Sequence, residues 1–425
     1  MIPNAVESSA IARLGWLDAL RGWAAITVAL HHASYVYIPD VQRWMAERFD
    51  PGRYGVLVFF LVSGYIVPAS LERRGSVRGF WIGRFFRIYP MLALCCLAAV
   101  LPFILGILGL RAGLEQYDPV TAVLAHLTML QDLLAVPNAI NVLWTLTYEM
   151  AFYLLIVGLF VVGGHRRSAP VASGFALAAV LVGGLIPSTL LSRTAGIGPL
   201  VAAVTIGLVI SIAAAVSDRP GLRVVGGVLG GLLAAALAAA NSRVYAWEGL
   251  TLLAIMFTGT VLYRAEHRQI SRRAAAVTVA VVLAGGIAAG TVHAGSSTRA
   301  WNNQFTWTLP IVLAALTFGA AWLLRGRSFP RWAITLGAAS YSIYLLHPIL
   351  LMVDTQFLGT SNHENKLGLA AFVTVLVTAS WACHRWIETP AQRLGRRLTR
   401  RLVPPPAPPP TPPPPTDQAP HALTP

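Results

Sequence analysis

The sequence predicts an all-α polytopic membrane protein, a bundle of about 10–12 transmembrane helices, from three observations. The chain has 425 residues, of which 56% are hydrophobic and only 12% are charged, too few charges to cover a water-soluble protein of this length. Apolar runs of about 17–23 residues recur along it, and each is long enough to cross a hydrocarbon layer roughly 30 Å thick. Arginines are concentrated in alternate connections between these runs.

Twelve apolar runs fit this pattern, which makes twelve the preferred count of spans. The predicted spans are 22–39, 54–71, 88–110, 145–163, 171–191, 198–216, 222–240, 248–263, 274–293, 306–324, 335–354 and 367–385. A further apolar stretch, 120–136, is interrupted by His126, Gln131 and Asp132, and we predict an interfacial or re-entrant helix there. Because the Gly/Ala-rich runs within 198–240 are weakly hydrophobic, ten or eleven spans remain open.

Positive charge sets the predicted orientation. With the N-terminus in the cytoplasm, about three quarters of the 32 lysines and arginines fall in cytoplasmic segments, as expected for a membrane protein. Both termini are then cytoplasmic. The net charge of +15 is explained by this orientation rather than by nucleic-acid binding, because the arginines lie between apolar runs instead of on one face.

Two regions differ in composition. We predict a membrane domain over residues 1–400 and a proline-rich, disordered cytoplasmic tail over 401–425, since the tail lacks the apolar residues needed for a core. The tail either binds a proline-recognising partner or is dispensable. The dispersed histidines and the three cysteines show no metal-binding spacing, so no metal site is predicted.

The first span carries two ionisable residues. Arg21 and His32 are eleven positions apart, or roughly 16 Å along a helix, which places His32 near the middle of the bilayer if Arg21 marks one surface. An ionisable side chain at that depth indicates function, although a histidine buried between packed helices is the alternative. Asp18 either caps the helix or pairs with Arg21.

Two further groups of notable residues follow the first span, one in the second span and one in the connection after it. Ser63 and Gly64, in the second span, allow close helix approach, and packing alone explains them. The predicted cytoplasmic connection 73–87 carries five arginines, whose planar guanidinium groups suit either a phosphate-bearing ligand or lipid headgroups. Arg84 and Arg87 are the strongest candidates there.

Two clusters lie in later spans. Glu149 lies close to the predicted start of the fourth span, where it either caps the helix, orients a histidine or binds substrate hydroxyls. Ser340, Tyr344 and His347 are spaced by four and three residues and therefore share one helix face. A polar stripe on an otherwise apolar span is expected to face the interior of the bundle.

Taken together, these motifs resemble the acyltransferase-3 family of membrane O-acyltransferases over roughly residues 14–390. The family's pattern of arginine, ten residues and histidine falls on Arg21 and His32. Its phenylalanine-rich Ser-Gly motif falls on 59–64. Each motif alone is weak, but their order and spacing together are specific.

The later motifs follow in the family's order. The paired arginines before the third span fall on Arg84 and Arg87, and Tyr89 follows them. The Trp-Ser-Leu-Ser-x-Glu motif falls on 144–149, with threonine at both serine positions, so the hydroxyls are kept. The late Ser-x-x-x-Tyr-x-x-His motif falls on 340–347. The chain departs from the family in having more spans than the ten commonly ascribed to it and no appended hydrolase-like domain.

The resemblance implies transfer of an acetyl or other short acyl group from cytoplasmic acyl-CoA, as co-substrate, to a hydroxyl of a polysaccharide, a glycolipid or a macrolide-like sugar. His32 then acts as general base or is itself acylated. It further implies a multi-pass protein of the inner (plasma) membrane, and the Arg-, Ala-, Gly- and Pro-rich composition is typical of a high-GC bacterium.

The resemblance also assigns roles to the motif residues. The predicted catalytic residues are His32, Glu149 and His347. The predicted donor-binding residues are Arg21, Arg84, Arg87 and Tyr89, and the predicted acceptor-binding residues are Trp144, Thr147, Ser340 and Tyr344.

A secondary transporter of a sugar-like or anionic solute is the main alternative, because twelve spans with both ends inside are typical of carriers. Carriers are commonly built from two related halves. The motifs of this chain are scattered without such a duplication, which favours the enzyme.

Overall fold

The computed structural model describes residues 5–293, 304–359 and 363–403, and every regular element in these ranges is helical. The α-helices in chain order are α1 (Ala5–Tyr37), α2 (Pro39–Ala46), α3 (Pro51–Arg74), α4 (Val77–Ile104), α5 (Pro119–Leu127), α6 (Leu143–Val161), α7 (Ser168–Leu181), α8 (Leu190–Ala195), α9 (Ile197–Ala215), α10 (Pro220–Ala240), α11 (Ala246–Glu266), α12 (Arg272–His293), α13 (Gln304–Leu323), α14 (Arg331–Ala338), α15 (Ser340–Leu358), α16 (Lys366–Cys383) and α17 (Thr389–Leu402). Most of the predicted tail, from 404 onward, lies outside the described residues.

The predicted class, an all-α polytopic membrane protein, is confirmed. Among the described residues, nine helices are long and apolar enough to cross a membrane, or ten if the bent pair α14–α15 is one span. The other two predicted spans correspond to α1, whose arginine and histidines lower its hydropathy, and to α7, which has only 14 residues. The count of twelve and the cytoplasmic position of both termini stay predictions.

The predicted span 171–191 is wrong in its C-terminal part, because α7 ends at Leu181. Gly183 comes two residues later and packs against the backbone and Cβ of Trp247, where there is no room for a side chain. Pro187 comes soon after and cannot donate a backbone hydrogen bond to a continuing helix. Hydropathy alone does not detect such a stop, since the residues beyond it remain largely apolar.

The arginine-rich connection predicted over 73–87 is instead mostly helix, joined by a two-residue turn. Helix α3 ends at Gly75, which has a left-handed φ of 61° and donates its N–H to Leu71 O at 2.9 Å. Ser76 then caps α4, accepting a hydrogen bond from the N–H of Gly79 at 3.1 Å. Glycine after one helix and serine before the next are efficient stop and start signals. Arg84 and Arg87 therefore project from α4.

The stretch 120–136, predicted as one interfacial or re-entrant helix, is two short pieces. Helix α5 ends at Leu127, and a 3₁₀ turn follows over Gln131–Leu134. Two of the polar residues that interrupt the apolar run, Gln131 and Asp132, are buried. Asn138 accepts from Gln131 at 3.0 Å and donates to Asp132 at 2.9 Å. These hydrogen bonds offset part of the cost of burying the amides and the carboxylate.

Helices α3 and α11 form the centre of the bundle. Their most apolar windows are 78% and 83% buried, against 22% for α4 and α9, which face outward. The two central helices approach each other through Gly64 and Gly259, because a Cβ on Gly64 would overlap the carbonyl of Met256 and one on Gly259 would overlap that of Leu61. The predicted packing role of the Ser-Gly motif therefore has a direct structural basis.

We expect Gly64→Ala to destabilise the protein by about 1–3 kcal/mol, since overpacking a close helix contact forces backbone shifts. Gly174→Ala, in open space on α7, is the matched control and should be neutral or stabilising. Thermal unfolding of the two detergent-purified variants measures the difference. Equal stability of the two variants would contradict the close α3–α11 contact.

Helix α1 packs against α3, α14 and α15. Its closest approach to α14 is at Gly22 and Gly337, which leave no room for a side chain against the opposite backbone. Helices α14 and α15 meet at an angle of 65°, so the chain turns after this contact and α15 runs on beside α1. This arrangement brings the polar stripe of α15 to the histidine of α1.

Candidate active site

His32 of α1 and His347 of α15 are in direct contact, although 315 residues separate them. The distance from His32 Nδ1 to His347 Nε2 is 3.1 Å, and the ring centroids are 5.1 Å apart. His347 is fully buried, whereas His32 is partly exposed to a cavity. The structure therefore brings together two of the three predicted catalytic residues.

The hydrogen bonds of His347 determine its neutral tautomer. Its Nδ1 lies 3.1 Å from the carbonyl oxygen of Ile343. A carbonyl oxygen only accepts hydrogen bonds, so Nδ1 carries the hydrogen and Nε2 of the neutral ring carries a lone pair. His347 therefore presents a hydrogen-bond acceptor to His32.

The same argument determines the tautomer of His32. Its Nδ1 faces two acceptors, His347 Nε2 and the carbonyl oxygen of Val28, each at 3.1 Å. Nδ1 must therefore carry the hydrogen, which leaves the lone pair of the neutral ring on Nε2. A neutral imidazole held in this way has one basic nitrogen, Nε2, on the side of the ring opposite the contacts of Nδ1 with Val28 and His347.

Asn141 lies beside this basic nitrogen. Its Nδ2 is 3.4 Å from His32 Nε2, while its Oδ1 accepts a hydrogen bond from Arg111 at 2.8 Å. Because a guanidinium group only donates, Arg111 fixes which end of the amide is oxygen. The Asn141 NH₂ group is thus the end that faces His32.

Two cavities meet at His32. The first, of about 600 Å³, we call the Asp50 cavity; its charged lining residues are Asp50, Arg53, Arg111, Asp132, Arg243 and Glu248.

The second, of about 830 Å³, we call the Met352 cavity; it lies between α15 and the C-terminal end of α4 and is lined by apolar residues that include Leu108, Ile349, Leu351 and Met352. The residues common to both are His31, His32, Arg111 and Asn141. Large ligands can therefore reach the basic nitrogen from two directions.

A third, smaller cavity contains the predicted arginine of the first motif. This Arg21 cavity, of about 80 Å³, is also lined by Arg87, Glu149, Ser340 and Tyr344. Tyr344 lines the Asp50 cavity as well, and its hydroxyl lies 2.9 Å from Thr145 Oγ1. Tyr344 thus forms part of the wall between the Arg21 cavity and the cavity of His32.

Glu149 lies with these arginines rather than beside His32. It accepts a hydrogen bond from Tyr153 and lines the Arg21 cavity. Because α6 begins at Leu143, the alternative that Glu149 caps the helix is wrong. Its position indicates a role on the Arg21 side of the site, at a distance from the histidine pair.

Asp18 pairs with Arg21 and does not cap a helix. Helix α1 begins at Ala5, so Asp18 lies inside it and is not a cap. Its carboxylate is 3.6 Å from the Arg21 guanidinium, which is the pairing interaction offered as the alternative. The ion pair holds Arg21 at the cavity wall.

The two remaining predicted donor-binding residues lie outside the Arg21 cavity. Arg84 is buried, donates to Ser70 Oγ at 3.2 Å and lies over the rings of Phe80 and Tyr153. Tyr89 donates to the carbonyl of Leu127 at 2.7 Å. Both side chains therefore have protein partners that account for their positions.

The predicted acceptor-binding residues do not all line the same cavity. Trp144 lines the Asp50 cavity, and Ser340 lines the Arg21 cavity with an Oγ that has no hydrogen-bond partner among the described protein atoms. Thr147 is fully buried and lines none of the three cavities. The neighbouring threonine, Thr145, is the one that reaches the site, through Tyr344.

Sequence reasoning missed the polar residues that the connections bring to His32. Asn141 and Arg111 come from the segments before α6 and after α4, and Asp50 caps α3 by accepting from the N–H of Arg53 at 2.8 Å. The only local sign of a role for Asn141 was its position in the sequence, shortly before the motif that begins at Trp144. Arg111 could not be found in this way, because a single arginine in a connection has no distinctive spacing.

The fold and the site define a polytopic membrane protein with an ionisable site enclosed by its helices. The chain belongs to the acyltransferase-3 family, whose sequence model, described as an acyltransferase domain, matches residues 14–385. It is therefore a multi-pass membrane protein with an acyltransferase domain. The resemblance found in the motifs is confirmed, and the enzyme is supported over the carrier.

Two relatives match the chain over shorter segments. Acyltransferase MdmB of Streptomyces mycarofaciens is 34% identical over 152 residues, which is 34% of this chain and 38% of the relative. Nodulation protein 10 of Rhizobium leguminosarum bv. viciae is 28% identical over 155 residues, 33% of this chain and 42% of the relative. The chain thus spans less than half the length of the relatives it matches. No solved structure matches the chain.

Proposed function

We propose that this enzyme moves an acetyl or other short acyl group from cytoplasmic acyl-CoA to a hydroxyl of a carbohydrate, glycolipid or antibiotic-type acceptor, with His32 as general base. One observation carries the proposal. The hydrogen bonds of His32 leave its lone pair on Nε2, at the point where two large cavities meet. A base in this position can take a proton from a hydroxyl that enters either cavity.

The proposed reaction uses the two protonation states of His32 in turn. The acceptor hydroxyl attacks the thioester carbonyl carbon while its proton passes to Nε2, and the carbonyl π electrons move onto the oxygen. The tetrahedral intermediate then collapses, the C–S bond breaks, and the imidazolium returns its proton to the leaving thiolate. His347 Nε2 accepts a hydrogen bond from His32 Nδ1. This bond keeps the hydrogen of His32 on Nδ1 before the reaction and holds the His32 ring in place.

The donor is proposed to approach from the Arg21 side. Arg21 precedes His32 on α1 by eleven residues, on the side of the helix whose N-terminal end the arginine distribution predicts to be cytoplasmic. The two arginines that line the Arg21 cavity suit an anionic ligand. Arg74 extends this basic region toward the end of α3, where its arginine neighbours are Arg73, Arg84, Arg87 and Arg396. In this proposal the enzyme lies in the inner (plasma) membrane, with its donor site on the cytoplasmic side.

The path from the arginines to His32 is closed in this structure. The Arg21 cavity, at about 80 Å³, is smaller than the pockets of 300–1,000 Å³ or so that enclose small-molecule ligands. Tyr344 stands between it and the Asp50 cavity. We infer that Tyr344 moves when the pantetheine arm of the donor enters, since a thioester from this side must pass it to reach His32.

The acceptor is proposed to occupy the Asp50 cavity, whose volume of about 600 Å³ is within the range of small-molecule sites. Charged groups of both signs line it, and Arg53 lies 4.0 Å from Glu248 and over the ring of Trp307. Carboxylates accept hydrogen bonds from hydroxyls, guanidinium groups donate to ring and hydroxyl oxygens, and Trp144 and Trp307 provide apolar faces. This combination favours a polyhydroxylated acceptor.

Arg87→Ala is expected to raise the KM for acyl-CoA by on the order of tenfold, the effect of losing one charge-assisted hydrogen bond. Arg84→Ala is expected to leave this KM within about threefold and to lower thermal stability instead, because Arg84 is buried against protein groups. Steady-state thiol release and thermal unfolding of both variants measure the two effects. The opposite pattern would place the donor at Arg84.

The function itself is tested with the full chain purified in detergent. Thiol release is measured from acetyl-, propionyl-, butyryl- and isovaleryl-CoA, with and without a panel of hydroxylated acceptors. Thioester cleavage that an acceptor accelerates, with the label recovered on that acceptor, is the expected result. Cleavage of none of these thioesters would remove acyl-CoA as the donor.

A further inference from the structure

The amide of Asn141 lies next to the basic nitrogen of His32 and is oriented by a hydrogen bond from Arg111. Its Oδ1 accepts from Arg111 at 2.8 Å, and its Nδ2 lies 3.4 Å from His32 Nε2. The motif residues that the sequence singled out do not include Asn141 or Arg111. Both line the Asp50 cavity and the Met352 cavity, as His32 does.

The backbone around Asn141 is fixed as well. The N–H of Leu143 donates to the carbonyl of Ile140 at 3.1 Å, and the carbonyl of Val142 accepts from Thr145 Oγ1 at 2.9 Å. Asn141 therefore occupies the last turn before α6, tied on both sides to that helix. A side chain on such a support changes position little during a reaction, which is the condition for electrostatic preorganisation.

The proposed reaction creates a negative charge on the thioester carbonyl oxygen, and this charge needs a hydrogen-bond donor close to His32. When an acceptor hydroxyl donates to His32 Nε2, it occupies that lone pair, so the Asn141 NH₂ group stays in place but needs another acceptor. At the same moment the thioester carbonyl oxygen, next to the attacked carbon, becomes negative. Asn141 donates from the same side as the base, so the released N–H and the new anion lie close together.

We propose that Asn141, held by Arg111, donates a hydrogen bond to the oxyanion of the tetrahedral intermediate. The proposal rests on the proposed function, with His32 as base. Asn141 is then a catalytic residue, because it touches a reacting atom. Arg111 is a positioning residue, which orients the amide and polarises it by bonding to its oxygen.

The electron balance of the step is complete with these residues. The acceptor oxygen forms a C–O bond to the carbonyl carbon, and its proton moves to His32 Nε2. The displaced π pair rests on the carbonyl oxygen, where it accepts the hydrogen bond from Asn141 Nδ2. That pair re-forms the C=O bond as the C–S bond breaks, and the thiolate takes the proton back from His32. Asn141 itself is unchanged.

Asn141→Ala is expected to lower kcat for thiol release from the best acyl-CoA by on the order of 10²–10³-fold, as for the loss of one oxyanion-hole donor. KM for the donor should change by less than about threefold, because the bond forms only in the transition state. Asn141→Asp keeps the size but presents oxygens to the anion, and should be at least as slow. Gln116→Ala, an exposed amide in the segment before α5, is the matched control and should retain wild-type kcat.

Arg111 is tested separately through rescue. Arg111→Ala should lower kcat less than Asn141→Ala, and Arg111→Lys, which still donates to the amide oxygen, should recover most of that loss. In the double variant Asn141→Ala/Arg111→Ala the loss should equal that of Asn141→Ala alone, because Arg111 acts through the amide. Additive losses would overturn the positioning role.

Failure of the inference is distinguishable from failure of the proposed function. If Asn141→Ala keeps kcat near wild type, or changes only KM, while His32→Ala is inactive, the oxyanion role is overturned and the general base stands. If His32→Ala is active, or if no acyl-CoA is cleaved by the wild type, both are overturned. Should Asn141→Ala fail to fold, as judged by gel filtration in detergent, Asn141→Ser replaces it and the same two criteria apply.

Discussion

Replacing His32 with alanine is expected to lower acyl transfer by on the order of 10²–10⁴-fold, the usual contribution of a general base. The reason is that Nε2 of His32 is the basic nitrogen at the junction of the two cavities. The polytopic fold should persist, because His32 is partly exposed and alanine is favourable in a helix. Thiol release from acyl-CoA and the amount of protein recovered from the membrane measure the two effects.

His267→Ala is a matched control, since His267 lies exposed at the end of α11 and contacts none of the three cavities. Near-normal turnover by His32→Ala would refute the mechanism. Acyl label bound covalently to wild-type protein, and absent from His32→Ala, would assign His32 as an acyl carrier instead of a base. Both mechanisms require the same unprotonated Nε2, so the labelling experiment is what separates them.

Replacing His347 with alanine is expected to lower kcat by on the order of 10²-fold, most of the contribution of the base it supports. Without the acceptor at His347 Nε2, the His32 ring loses a contact of 3.1 Å that orients it. His347→Gln should recover much of the activity, because a glutamine oxygen can accept from His32 Nδ1 at a similar reach. Steady-state kinetics of the two variants measures whether kcat is higher for His347→Gln than for His347→Ala.

A purely structural role for His347 predicts a different pattern. His347 is fully buried, so alanine leaves a cavity and should lower thermal stability whether or not the residue assists His32. If kcat follows thermal stability across alanine, glutamine and leucine at this position, the orienting role is wrong. If glutamine alone restores kcat while leucine restores only stability, the hydrogen bond to His32 is the reason.

Several parts of the fold were predictable because they depend on local composition. The membrane class follows from apolar length and sparse charge, and every predicted span contains a helix within the described residues. The predictions failed where a short signal outweighed hydropathy. Gly183 ends α7 early, and Gly75 with Ser76 reduces a predicted arginine loop to a tight turn between α3 and α4.

The candidate site was predictable only in part. The spacing of Ser340, Tyr344 and His347 correctly indicated one inward face of α15, and His347 does reach His32. Glu149 was expected to serve either the acceptor or the histidine, and it lies with Arg21 and Arg87. Arg84 is buried against aromatic rings. Motif order identifies which residues matter to a family, but it does not determine which of them touch.

By itself the sequence determined the class of protein, the approximate spans and the motifs, because hydrophobicity, charge and residue spacing act along the chain. Only the tertiary structure decided that α1 and α15 lie side by side, that Tyr344 separates the arginines from the histidines, and that Asn141 faces His32. These contacts join residues up to 315 positions apart. They depend on how the helices pack, at positions such as Gly22 and Gly337, where the absence of side chains sets the distance between backbones.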